Sequence, residues 1–270
     1  MLGKLLKYEF KSTARILLPL YIALIGFSII NKVLIGFRYD FQNFSGLGGI
    51  PAIISILGYV ATMVAIVVVT LFIIIQRFYK NLLGDEGYLM NTLPVSINKN
   101  ISSKLIVAVS WNLISGIVAF LSIFIMAYRP GIFNEMFAQV GGFTGFLSIA
   151  YDKIGSNMYT IPLELIILGL VALIRGILII YASIALGQLA NKRKILAAFG
   201  AFVVLNIVMS VIQEMIPSIF VNLDNLNITL NSLTPVVHGG IISLIIFELI
   251  FSGIFFATCN YILKNKLNLE

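Results

Sequence analysis

The sequence predicts an all-α, polytopic membrane protein with six transmembrane helices, and three observations support this fold class. Hydrophobic residues make up 60% of the 270 residues and charged residues only 11%, whereas soluble domains usually carry about a quarter charged residues. The mean hydropathy is +1.04. The apolar residues also lie in long runs, and a helix of about 20 such residues crosses the roughly 30 Å of hydrocarbon in a bilayer.

Six apolar runs have the length of a crossing helix. They are Ile16–Gly36, Ile50–Ile75, Leu105–Ala127, Ile161–Gly187, Ile195–Ile216 and Ile241–Leu263. The second run is the most regular, because residues 60–75 are almost all apolar, while Glu164 and Arg175 interrupt the fourth. Little of the chain remains for a soluble domain, so we expect one transmembrane domain over residues 1–270.

The N-terminal segment, residues 1–15, alternates basic and apolar side chains. Lys4, Lys7, Lys11 and Arg15 are spaced among leucines and Phe10, a pattern typical of a basic amphipathic helix. A cleavable signal peptide would need a small-residue cleavage site after its apolar core, and the sequence offers no convincing one. We therefore expect an interfacial helix over residues 1–15.

The basic residues flanking the runs predict the orientation. Thirteen lie on one side of the membrane: Lys4, Lys7, Lys11, Arg15, Arg77, Lys80, Lys99, Lys104, Lys192, Arg193, Lys194, Lys264 and Lys266. The opposite side has only Arg38, Arg129 and Lys153. Because cytoplasmic loops carry the excess of Lys and Arg, both termini are predicted to lie in the cytoplasm.

This orientation assigns a side to each long connection. Residues 77–104 form a cytoplasmic loop, and residues 128–160 and 217–240 form extracellular connections. The stretch Phe137–Ala150 is apolar but too short to span, as expected of a helix lying on the outer surface. The polar connection 217–240 suggests short irregular or extended pieces.

Motifs for soluble chemistry are missing from the sequence. No P-loop motif occurs, so this chain is not expected to bind and hydrolyse ATP by the usual route. Its single histidine, His238, cannot supply a His-Glu-x-x-His zinc site, and we interpret it as an interfacial residue at a helix end. The basic residues border apolar runs, which favours membrane lipid over nucleic acid as their partner. We expect no enzymatic activity, cofactor or metal.

The cytoplasmic loop 77–104 is the most informative connection. Gly84 can end the inward extension of the second helix, and Pro94 would stop a short helix that follows it. Its candidate docking residues are Asp85, Glu86, Tyr88, Leu89, Leu93 and Pro94. Exposed apolar residues of this kind pack on a membrane surface or on another protein, and the residues alone leave both interpretations open.

The same loop carries a resemblance to a known family. Its motif Gly-Asp-Glu-Gly-Tyr-Leu-Met-Asn-Thr-Leu-Pro-Val, residues 84–95, follows a basic N-terminal helix and two crossings, and a third crossing opens near Lys104. In this order and motif the chain resembles the permease subunits of bacterial type-2 ABC exporters, particularly those of Firmicutes. The overall plan covers essentially the whole chain, whereas the motif covers only Phe78–Trp111.

The resemblance implies a function and several partners. It implies that Asp85–Pro94 is a coupling helix that inserts into a groove of a separate P-loop ATPase subunit, where ATP is hydrolysed. It also implies a dimer with a second permease copy or a paralogue, a translocation path for an exported substrate, and a location in the bacterial cytoplasmic membrane. The substrate is not evident from the sequence.

Charges inside the apolar runs suggest further functional residues. Lys32, Glu164 and Glu214 lie near the outer ends of their runs, where they can reach water. Arg175 lies near the middle of its run, and it either pairs with Glu248 or lines a polar path, although their depths along the expected runs differ by about 10 Å.

Two alternative functions remain open from the sequence. The chain could be an ion-coupled secondary transporter, with Arg175, Glu164 and Glu248 as the ion-coupled groups, or a non-transporting sensor or immunity subunit.

The orientation can be tested by cysteine labelling in a chain carrying Cys259→Ala. Because 13 basic residues border one side and three the other, cysteines at Asn98 and Asn191 should react only with a reagent supplied in the cytoplasm. A cysteine at Asn225 should react only with an impermeant reagent added outside the cell. The reverse labelling pattern would contradict the predicted topology.

Overall fold

The computed structural model describes residues 2–36, 50–82, 96–128, 141–155, 157–190, 192–220 and 230–266. The chain divides into two compact units, Met1–Pro130 and Gly131–Glu270. The described part of the first unit contains α1 (Leu2–Gly36), α2 (Ile50–Leu82) and α3 (Ile97–Ala127). That of the second contains α4 (Gly142–Ile154), α5 (Asn157–Gly187), α6 (Lys194–Phe220) and α7 (Leu230–Asn265).

Six of the seven helices in the described residues are long and apolar enough to cross a membrane, which confirms the predicted number. Their spans are Leu5–Leu34, Ile53–Lys80, Ile97–Ala127, Asn157–Gly187, Lys194–Met215 and Pro235–Asn265. Valine and isoleucine, frequent in these spans, favour helix only weakly in water. In hydrocarbon the backbone must bond internally, so the helix becomes the stable form of such sequences.

The N-terminal segment differs from the separate interfacial helix expected over residues 1–15. Instead, α1 runs without interruption from Leu2 to Gly36. Its 35 residues give a length of about 52 Å at 1.5 Å per residue, well beyond the roughly 30 Å of hydrocarbon. The amphipathic pattern arises because Glu9, Thr13 and Leu17 are buried along one stripe of the same helix.

Other helices also extend beyond their apolar runs. The start of α3 at Ile97 is eight residues earlier than the expected Leu105, and the start of α7 at Leu230 is eleven residues earlier than Ile241. These extensions are polar, so hydropathy alone assigned them to connections. Helical residues therefore occupy both ends of 77–104, and residues 217–220 and 230–240 of the connection expected to be irregular.

The short helix α4 occupies part of the connection 128–160. It has 13 residues and a length of about 20 Å, too short to cross a bilayer. Gly155 ends it with φ of +63°, a conformation that glycine adopts without strain, and donates its N–H to the carbonyl of Tyr151 at 2.7 Å. This turn leads directly into α5.

The core of the first unit lies where α1, α2 and α3 meet. It consists of Leu17, Tyr21, Leu24, Tyr59, Ile66, Ile73, Val107 and Trp111. Hydroxyl groups join the helices across this core: Tyr21 Oη lies 2.7 Å from Ser115 Oγ, and Tyr59 Oη lies 2.9 Å from Ser122 Oγ. Such bonds between transmembrane helices contribute about 0.6 kcal/mol each on average.

In the second unit α5 packs against both α6 and α7. The α5–α6 hairpin is tight at Gly187, where a Cβ atom would lie 2.5 Å from Cβ of Ala198. Small residues at such a crossing let two helices approach closely. Away from these contacts α6 exposes Val204, Ile207 and Val211, as expected of a helix in contact with lipid.

Thermal unfolding of two glycine variants tests the α5–α6 contact. Gly187→Ala should destabilise the second unit by about 1–3 kcal/mol, because the added methyl group overlaps Ala198. The matched control is Gly169→Ala, where a Cβ meets no atom within 4 Å. Its melting temperature should be unchanged or slightly raised. Equal melting temperatures for the two variants would contradict the close packing.

Candidate functional site

Three groups of charged side chains stand out in the two units, and the first surrounds Glu9. The Glu9 cluster consists of Glu9 of α1, Arg77 of α2 and Lys104 of α3. Nζ of Lys104 donates to Glu9 Oε1 at 2.9 Å, and Nη1 of Arg77 contacts Glu9 Oε2 directly. Nη1 also donates to the Glu9 carbonyl at 3.3 Å, and Thr13 Oγ1 donates to the same carbonyl at 2.9 Å.

The Glu9 cluster joins the three helices described in the first unit, close in sequence to the connection 83–95. Arg77 lies five residues before the end of α2, and Lys104 lies seven residues after the start of α3. The side chain of Lys104 is only 2% exposed, and the carboxylate of Glu9 compensates its charge. Without Glu9, the neighbouring cations Arg77 and Lys104 would repel each other where α2 ends and α3 begins.

Sequence reasoning treated Arg77 and Lys104 only as orientation charges and missed the role of Glu9. A signal was present, because Glu9 is the only acidic residue among the basic residues of the N-terminal segment. The predicted docking residues, by contrast, lie outside the described residues: Asp85, Glu86, Tyr88, Leu89, Leu93 and Pro94. Their role as a coupling helix stays a prediction.

The second group is the Arg175 pair, formed by Arg175 of α5 and Glu248 of α7. Nε of Arg175 contacts Oε2 of Glu248, so the contact considered from the sequence is present. The Glu248 side chain is 2% exposed and that of Arg175 17%. A charged residue at the centre of a crossing helix costs about 2.5–3.5 kcal/mol on insertion scales, and a paired carboxylate offsets this cost.

The depth difference of about 10 Å came from misplaced helix starts. Arg175 follows Asn157, where α5 begins, by the same number of residues as Glu248 follows Leu230, where α7 begins. The two charges therefore stand at equal distances along neighbouring helices. Counting from the apolar residues Ile161 and Ile241 shortened the two helices unequally, because the polar start of α7 is much longer.

The third group is the His238 cluster, formed by Asn157 and Glu164 of α5 and His238 of α7. Nδ1 of His238 lies 2.8 and 2.9 Å from the two carboxylate oxygens of Glu164, to which it donates. Nε2 lies 3.0 Å from Asn157 Oδ1. Glu164 and Asn157 therefore engage both ring nitrogens of His238.

From the sequence we expected the Glu164 side chain to reach water and His238 to be an interfacial residue without an assigned partner. The structure pairs them because α5 and α7 run parallel with a nearly constant offset. Glu164 and His238 are 74 residues apart, and Arg175 and Glu248 are 73 apart. This recurring offset between complementary side chains is the sequence signal that could have identified both contacts.

The other two charges noted in the apolar runs have different surroundings. Nζ of Lys32 lies 5.2 Å from the centroid of the Tyr128 ring, a cation–π contact between the adjoining ends of α1 and α3. Glu214 of α6 is exposed. Within the described ranges no group of three or more His, Cys, Asp or Glu side chains could hold a metal ion.

Comparison with known proteins finds no matching family, no matching curated protein and no matching solved structure.

A double-mutant cycle tests the Arg175 pair. Arg175→Met and Glu248→Gln should each lower the free energy of unfolding by about 3–5 kcal/mol, because each leaves an uncompensated charge in a low-dielectric surrounding. The combined variant should recover much of this loss, and the difference is the coupling free energy. Additive losses, measured by thermal or denaturant unfolding in detergent, would show that the two charges do not support each other.

Proposed function

We propose that this chain is the transmembrane permease subunit of an ATP-binding cassette exporter. It forms part of a translocation path and docks a separate ATPase subunit through Asp85–Pro94, and it acts as a dimer with a second copy or a paralogue in the bacterial cytoplasmic membrane. Six helices with the length and hydropathy of membrane spans support a transport role. The sequence motif in residues 84–95 supports the ABC class.

The Glu9 cluster is the observation that carries this proposal furthest. A docking loop transmits movement only if both of its ends are attached firmly to the membrane helices. Glu9 bonds to Arg77 in α2 and to Lys104 in α3, the helices that lead into and out of the connection 83–95. A push on that connection would therefore act on α1, α2 and α3 together.

A loop that merely rests on lipid has no need of such an attachment, whereas an ATP-driven docking element depends on it.

The charges of the connection 83–95 are also suited to a protein partner. Asp85 and Glu86 form an acidic pair in a basic loop, and rim charges of this kind steer association with a partner of opposite charge.

The second candidate is an ion-coupled secondary transporter. It is favoured by the ionisable side chains that join α5 to α7, because such groups within membrane spans commonly mark ion pathways. The residues would be Arg175, Glu164 and Glu248. Transport by purified chain in vesicles without ATP, driven by an imposed ion gradient, would support this function and contradict the first.

The docking role can be tested by substitution in the connection 83–95. Leu89→Asp combined with Leu93→Asp should abolish co-purification of an ATP-hydrolysing P-loop subunit, because the apolar contact is replaced by charge. Asp85→Lys with Glu86→Lys should weaken association by roughly tenfold at low salt and less at high salt, where surface charges are screened. ATP hydrolysis and mass spectrometry of the eluate measure both effects.

The matched control is Leu223→Asp combined with Leu226→Asp in the connection predicted to lie outside. This variant should retain the ATPase at the wild-type level. All variants are first checked for membrane insertion by protease protection. Equal recovery of the ATPase with both double leucine variants would contradict docking through residues 85–94.

A further inference from the structure

The guanidinium of Arg175 is only partly used by its contact with Glu248. A guanidinium carries five N–H donors in a planar fork, and here Nε makes the contact. Among the described residues, Nη1 and Nη2 have no hydrogen-bond partner in the protein. The Arg175 side chain is 17% exposed, whereas the Glu248 side chain is 2% exposed. The Nη1 and Nη2 end of the guanidinium is therefore the accessible part of the pair.

The position of Arg175 makes this open fork unusual. It lies about five turns from the first residue of α5 and about three turns from the last, so neither end is within reach of its side chain. Arginine remains protonated in proteins, and in hydrocarbon no water satisfies free donors. Glu248 balances the charge, but four N–H donors have no acceptor within the described part of the chain.

Space is available beside this part of α5. Arginine side chains in helices point back towards the preceding turn, where Ala172 is small and half-buried. A Cβ atom added to Gly176 would meet no other atom within 4 Å. No bulky side chain at either position blocks the approach of a ligand.

We propose that Nη1 and Nη2 of Arg175 bind the carboxylate or phosphate group of an amphiphilic molecule, while Glu248 holds the guanidinium through Nε. Planar pairs of N–H donors match the two oxygens of these anions in bidentate geometry. The inference rests on the proposed function, because it makes the bound anion the head group of the transported molecule. The exporter would then carry anionic amphiphiles.

The His238 cluster provides an internal contrast. Both ring nitrogens of His238 and both carboxylate oxygens of Glu164 are engaged, so no donor pair there is open to an anion. Among the described side chains of α5 and α7, Arg175 is thus the one at which a free anion gains two hydrogen bonds without displacing a protein group.

Thermal unfolding with two probes of equal chain length tests the proposal. Full-length protein in phosphatidylcholine nanodiscs is heated with laurate, an anion, or with dodecanol, which is neutral. Cys259 is fully buried in α7, so a thiol-reactive dye reports unfolding of the second unit. Laurate should raise the melting temperature in a saturable way that dodecanol does not reproduce.

Variants assign that shift to Arg175. The combined variant Arg175→Met with Glu248→Gln keeps the pair neutral and should lose the laurate shift. Glu248→Gln alone leaves the whole guanidinium uncompensated and should reach half-saturation at a several-fold lower laurate concentration. Lys32→Met removes a cation from another span and should leave the shift at the wild-type size. An undiminished laurate shift in the combined variant would overturn the proposal.

A lipid arm identifies the source of the anion. Nanodiscs containing phosphatidylglycerol are analysed by native mass spectrometry for lipid retained on the protein. Retention that depends on Arg175, without a laurate shift, supports the anion site and assigns it to a lipid head group. Neither assay needs an ATPase, so absence of both effects removes the anion site while leaving docking through residues 85–94 to its own test.

Discussion

The lack of water in hydrocarbon is the constraint on which this structure depends. Backbone N–H and C=O groups there must hydrogen-bond within the chain, so even sequences rich in valine and isoleucine form helices. The same constraint favours polar side chains that find a partner, and several of them find it on a neighbouring helix. In the described residues these partners are specific: Tyr21 with Ser115, Tyr59 with Ser122, and Glu9 with two cations.

These polar contacts define how the helices stand against one another, because apolar packing alone allows many similar registers. In the first unit, the Glu9 cluster fixes α1 against α2 and α3 at one end. The 35 residues of α1 form one helix, which includes Pro19, so the end held by Glu9 belongs to the same element as the crossing segment. A division into a surface helix and a separate crossing would have lost this continuity.

The number of crossing helices could be predicted from the sequence, because hydropathy and length are both local properties. The helix ends could not, since the polar starts of α3 and α7 carry no hydropathy signal. Of the candidate charges, Arg175 and Glu248 were identified because a charge in an apolar run is conspicuous. The partnership of Glu164 with His238 depends on the register between two helices, which single-residue inspection does not consider.

The parallel helices α5 and α7 are bonded at two levels, by Glu164 and His238 and, about three turns further on, by Arg175 and Glu248. One residue added between residues 164 and 175 would rotate everything beyond it by about 100° around the helix axis. Only one of the two contacts could then form. This segment can therefore vary in composition during evolution, but an insertion or deletion within it would break one of the two polar contacts between the helices.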